Sequence, residues 1–183
     1  MLMFKPICLI IFTIIGILFT VGYAALPLIA SQVNLPSPTG NNINANVTMY
    51  FNNFTVILDD ANNTYSNINY NDLSSISGIT NLLFKSLMYF CIAITCLLAI
   101  GIVIAIFGLK IFSKILFLIA LILMCIVFIL IILIVTKSSA VQDLTNYFSA
   151  GGNSSINLKS GGILITLSTG LMFINYLVYA FLG

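Results

Sequence analysis

Few side chains in this chain can do chemistry. Its 183 residues include no His, Glu, Arg or Trp, so the ionisable set is six Lys, the four acids Asp59, Asp60, Asp72 and Asp143, four Cys and the Tyr residues. General acid–base catalysis, metal ligation and nucleophilic attack all need pairs or clusters that this set does not supply. The expectation is therefore no catalysis, no cofactor and no metal. What the spacing does offer is covalent modification. Asn46, Asn53, Asn62 and Asn153 each open an Asn-x-Ser/Thr triplet, the acceptor of N-glycosylation, which is used only on the extracytoplasmic side of a membrane. Cys8, close to Lys5, is a candidate for S-acylation near the cytoplasmic face, weighed against the blander role of a small apolar filler. Cys91, Cys96 and Cys125 fall, like Cys8, inside apolar stretches, so no disulfide is expected to brace the polar loops.

The elements that position these residues are four apolar stretches. Residues 6–30, 86–109, 115–135 and 161–182 contain no Asp, Glu, Lys, Arg or His. Crossing a hydrocarbon layer of about 30 Å takes roughly 20 apolar residues of α-helix, and each stretch reaches that length. The whole chain is 61% hydrophobic and 5% charged, against about 25% charged in soluble domains. The spans are set at 6–30, 86–109, 115–136 and 161–182, joined by a first loop at 31–85, a turn at 110–114 and a second loop at 137–160. The predicted fold is an all-α membrane protein: a four-transmembrane-helix bundle running up-down-up-down as one tetraspan domain, with a small extracytoplasmic antiparallel β-sheet from the first loop.

Charge orients the bundle. Lys5, Lys110 and Lys114 stand without acids at one end, whereas all four Asp lie in the other two loops with Lys85, Lys137 and Lys159. This places both termini in the cytoplasm, in a plasma or secretory-pathway membrane, and puts all four sequons outside. The apolar run after Lys5 exceeds the roughly 7–15 residues of a signal-peptide core, which favours a retained helix over cleavage near Ala24-Ala25 or Ala30-Ser31.

The first loop changes character along its length. Residues 31–45 are rich in Pro, Asn and Gly and read as an irregular exit from the membrane. Residues 47–58 alternate with strand period and carry a bulge at Asn52-Asn53, 59–63 form a turn, and 64–70 return as a second strand. Asn71 or Asp72 then caps a short helix through Leu73, Ile76 and Ile79 that leads into the second span. In the second loop, residues 140–148 extend the third helix, and Ile156-Asn157-Leu158 adds an edge strand. Tyr50, Phe51, Phe54, Tyr65 and Tyr70 give the sheet more aromatics than a hairpin needs; they serve either as a contact surface or as rings seated on the membrane surface.

Apolar burial drives little association between helices in lipid, so packing rests on close approach and hydrogen bonds. Gly101 and Ala105, four apart with Gly108 beyond, make one face of the second span smooth, for internal packing or a dimer. Asn175 is the one amide inside a span, read as an interhelical hydrogen bond before a ligand contact. Thr13, Thr20, Thr95, Thr166 and Thr169 can bond to their own helices.

Four spans, a large first loop with strand character, a helix into the second span and a very short turn between the second and third together resemble the claudin superfamily with its peripheral myelin protein relatives. Lys85-Ser86-Leu87-Met88 is similar to that family's entry into span two, and Phe107-Gly108-Leu109-Lys110 to its cytoplasmic end. The resemblance implies a structural tetraspan that organises lateral or cell-to-cell contacts through its first loop. The family's first-loop Trp and paired Cys are absent, so a paracellular pore is not implied. The alternative is a small accessory subunit tuning a larger channel, transporter or enzyme complex. Expected partners are the lipid bilayer and other membrane proteins or further copies of itself, and no nucleic acid.

Overall fold

The structure is a computed structural model that describes residues 4–36, 42–50, 53–58, 64–69, 78–136 and 155–182. Four helices dominate it: α1 (Phe4–Ala24), α2 (Gly78–Ile106), α3 (Lys110–Thr136) and α4 (Ser160–Leu182). Each is long and apolar enough to cross a membrane, over Lys5–Ala24, Ser86–Ile106, Lys110–Leu133 and Ser160–Phe181. At most a third of each of these windows is buried inside the molecule. The remaining Ile, Leu, Val and Phe side chains point outward, which is stable only against lipid. The protein is a four-span integral membrane protein.

The helix ends follow from local chemistry. α1 stops at Ala24, short of the expected residue 30, because Pro27 disfavours helix in the residue before it and donates no hydrogen bond. Ile29 and Ala30 instead begin a strand. α2 begins at Gly78, so a helix leads into the span without a break; residues 71–77 lie outside the described residues. The turn between α2 and α3 sits at Phe107–Leu109 rather than at 110–114, whose residues form the first turn of α3. Gly108 has φ +85°, Gly108 N–H donates to Ala105 O at 3.1 Å and Leu109 N–H to Ile104 O at 3.2 Å, a Schellman cap that needs a residue free to take left-handed dihedrals. Leu109 O then accepts from Ser113 N–H at 3.1 Å and opens α3.

Strands β1 (Ile29–Pro36), β2 (Asn42–Met49), β3 (Asn53–Leu58), β4 (Thr64–Asn69) and β5 (Ser155–Leu158) pair in the order β4-β3-β2-β1-β5, antiparallel throughout. Two features depart from the sequence expectation. The segment read as an irregular exit is paired, Ser31 with Val47 and Leu35 with Ile43, because its Asn and Ser conceal an extended backbone whose partner is equally polar. The segment read as one bulged strand is two strands folded on each other, Val47 opposite Val56, with the chain reversing after Met49. The register shift falls instead between β3 and β4, at Phe54 to Val56. β5 pairs with β1, Ile29 opposite Leu158, so the edge strand expected at 156–158 lies beside the first strand. Residues 140–148 lie outside the described residues.

The helices close a ring in which α1 packs on α4 and α2, and α3 on α2 and α4, with α1–α4 and α2–α3 the most extensive pairs. The sheet hangs from the α1–α4 pair. Lys159 N–H donates to Leu28 O at 2.9 Å, and Gly161 N–H, an otherwise unsatisfied donor at the start of α4, to Pro27 O at 3.0 Å.

Candidate functional site

Three places in the bundle concentrate chemistry: an aromatic layer, a set of polar crosslinks, and a groove open to lipid. In the aromatic layer, Phe12 of α1 and Phe117 of α3 stack with centroids 3.9 Å apart across the ring of helices. Tyr179 of α4 stands edge-on to both, at 5.6 and 5.4 Å. α2 contributes the absence of a side chain, since a Cβ on Gly101 would lie 2.7 Å from Phe117 Cε1. The smooth face expected at Gly101 and Ala105 is thus used within the molecule, and Ala105 is fully buried. Gly108 stands apart from that face, with nothing within 4 Å of its would-be Cβ; its role is the turn.

The polar groups of the layer are satisfied in sequence. Ser113 Oγ donates to Lys110 O at 2.9 Å, so its contact with Tyr179 OH at 2.8 Å is one in which the tyrosine donates. Lys114 Nζ donates to Ala180 O at 2.9 Å, placing a cation at the C-terminal end of α4, where the helix dipole favours one. Asn175, 4% exposed, donates from Nδ2 to Cys8 O at 3.0 Å and ties α4 to α1. Cys8 itself is buried at 2% exposure, so an acyl group there requires its side chain to leave the core. Thr13, Thr20, Thr95, Thr166 and Thr169 each donate to the carbonyl four residues earlier, at 2.7 to 3.1 Å. Ser168 Oγ is fully buried with no hydrogen-bond partner.

At the sheet end, α1 and α4 nearly touch through their backbones. A Cβ on Gly161 would stand 2.5 Å from Gly22 O and 2.9 Å from both Leu26 O and Pro27 O. The glycines are visible in the sequence, but their partnership is not, because nothing local says which helices meet.

The loop candidates are placed through the backbone. Asn46 lies on β2 opposite Gln32 and Ile57, and Asn53 opens β3 opposite Asn69. Phe54 pairs with Ile68 and Tyr65 with Val56, which puts the two aromatics on neighbouring strands; Tyr50 follows β2 and is half-buried. Asn62, Asn153, Phe51, Tyr70 and all four Asp lie outside the described residues. Among the described residues, no group of three His, Cys, Asp or Glu gathers to hold a metal ion.

The groove lies between α1 and α2, has a volume of about 300 Å³ and is walled by Phe12, Gly16, Ile17, Leu98, Ala99 and Ile102. Thr20 and Thr95 line one end, their Oγ1 atoms 3.4 Å apart, and Tyr23 OH lies 3.4 Å from Thr95 Oγ1.

No family model matches the chain, and no curated protein matches it in sequence.

Proposed function

We propose that the protein is a non-catalytic, claudin-like tetraspan that organises lateral or cell-to-cell contacts, with its sheet as the contact surface on the extracytoplasmic side and both termini in the cytoplasm. One observation carries this reading. Strands from both polar connectors join in one sheet, and that sheet is bonded through Leu28 and Pro27 to the start of α4, so a display surface is fixed to a membrane anchor. Among the described residues no group of three His, Cys, Asp or Glu gathers, and the threonines of the spans donate to their own backbones. The resemblance in loop order and in the entry and exit of the second span supports the same assignment.

Exchange of residues 42–69 for a Gly/Ser linker, followed by cross-linking in native membranes and gentle extraction, tests the proposal. The intact chain is expected to give ladders of itself or of neighbouring contact proteins, and the exchanged chain to lose them. Ladders unchanged by the exchange overturn the sheet as contact surface. A single large foreign partner retained through the helices would instead assign an accessory subunit.

A further inference from the structure

We propose that Asn46 and Asn53 carry N-linked glycans together on one uncharged polar face of the sheet, and that these glycans protect that face from association, as charge protects other exposed sheets. The inference rests on the exterior orientation of the proposed function and is independent of what the sheet contacts. It begins with the strand register. Residues directly opposite one another in antiparallel strands share a face, and successive residues of a strand alternate between faces. Thr48 pairs with Thr55, and Asn46 and Asn53 each stand two residues before one of them. All four therefore lie on one face, each acceptor on the same side as the threonine that completes its triplet.

The two faces differ in chemistry. Val47 opposite Val56 and Met49 opposite Phe54 lie on the other face. The register shift of β4 keeps this division, since it puts both Tyr65 and Ile68 on that apolar side, opposite Val56 and Phe54. An antiparallel sheet with one polar and one apolar face turns the polar one to water. What this polar face lacks is charge. None of the described strands contains Lys, Arg, Asp or Glu, whereas well-behaved protein surfaces are about 25–35% charged and exposed strands are commonly guarded by Lys. Uncharged, Asn-rich strands are prone to stack on one another, and a bulky, solubilising glycan supplies the protection that charge does not. Asn46 pairs with Ile57, four residues along β3 from Asn53, so the two attachment points stand about 14 Å apart and both can be occupied. Ile57 is the large apolar exception on this face, and it lies directly opposite Asn46, roughly 5 Å away and within the cover of the first sugar.

At each site the Asn amide nitrogen bonds to the anomeric carbon of an oligosaccharide carried on a lipid diphosphate. The bond from that carbon to the diphosphate oxygen breaks, the diphosphate leaves with the electron pair, and one amide proton is released. The test expresses the full chain in glycosylating membranes and treats it with an N-glycan-removing amidase in heavy-oxygen water, which marks each formerly glycosylated Asn for mass spectrometry. Marking is expected at both 46 and 53, and Asn46→Gln and Asn53→Gln are each expected to remove one glycan step on a gel. A Gly/Ser insert with its own acceptor triplet near residue 60 reports orientation separately. A modified insert with position 46 or 53 bare overturns the proposal and leaves the orientation standing; an unmodified insert overturns both. Protection is read in the chain carrying both substitutions, whose helicity by circular dichroism is expected to match that of the unsubstituted chain while its protein mass by light scattering in detergent at least doubles. The unsubstituted chain made in bacterial membranes that add no such glycan is expected to associate in the same way. Unchanged protein mass in both glycan-free chains overturns the protective role.

Discussion

Gly101 and Ser168 represent opposite ways in which one residue sets the stability of this bundle. Gly101 is fixed by its neighbour: Phe117 stands where a side chain would go and is itself pinned between Phe12 and Tyr179. Gly101→Leu is expected to cost about 1–3 kcal/mol through displaced rings, read as an earlier midpoint in detergent-titrated unfolding. A midpoint equal to that of the unsubstituted chain would show that the aromatic layer yields. Ser168 is the converse, a buried hydroxyl whose desolvation nothing offsets. Ser168→Ala is expected to leave stability unchanged or to raise it by up to about 1 kcal/mol, and a clear loss in the same assay would reveal a bond that the geometry does not contain. At this scale the sequence was legible where chemistry is local. The five threonines bond to their own helices and Asn175 bonds across to another, as residue type and setting imply. The Tyr179–Ser113 and Lys114–Ala180 links were not legible, because each joins residues 66 apart and depends on which helices are neighbours.

Among the elements, the turn between α2 and α3 is the one whose geometry depends most on a single backbone. Gly108 at φ +85° closes both bonds of the α2 cap, so Gly108→Ala is expected to cost about 1 kcal/mol, measured against Gly170→Ala as a helix-interior control with open space around it in the same unfolding series. A silent Gly108→Ala would mean that the turn adopts another form. The spans were readable because an apolar, uncharged run of helical length has one stable home. Their ends were less so: Pro27 stops α1 early, and the Schellman cap moves the turn ahead of Lys110. The strands were hardest. β2 and β3 were visible as alternation but merged into one, since a reversal between Met49 and Asn53 and a bulge at Asn52-Asn53 leave the same Asn signal. β1 has an Asn-rich partner and showed no alternation of apolar and polar residues to read.

For the molecule as a whole, topology is the property from which the remaining functions follow. Four apolar spans put both polar connectors at one end of the bundle, and the orientation proposed from Lys5, Lys110 and Lys114 at the other end makes that end the exterior. Expression in a glycosylating membrane system is expected to yield a chain whose mass falls on treatment with an N-glycan-removing amidase. That shift is expected to shrink in Asn46→Gln and Asn153→Gln chains. A protease site engineered near residue 60 that is cut from the cytosolic side would reverse the orientation and remove the sheet as an external surface.

The two bonds that tie Leu28 and Pro27 to the head of α4 also decide how the protein responds to pulling. Tension applied to the sheet by a bound neighbour passes into the α1–α4 seam, where glycine backbones approach closely, and along the chain that joins β4 to α2 and α3 to β5. Traction thus enters the bundle through a backbone-bonded seam at α1 and α4 as well as through the covalent connectors, and Phe12, Phe117 and Tyr179 pass it between the two helix pairs.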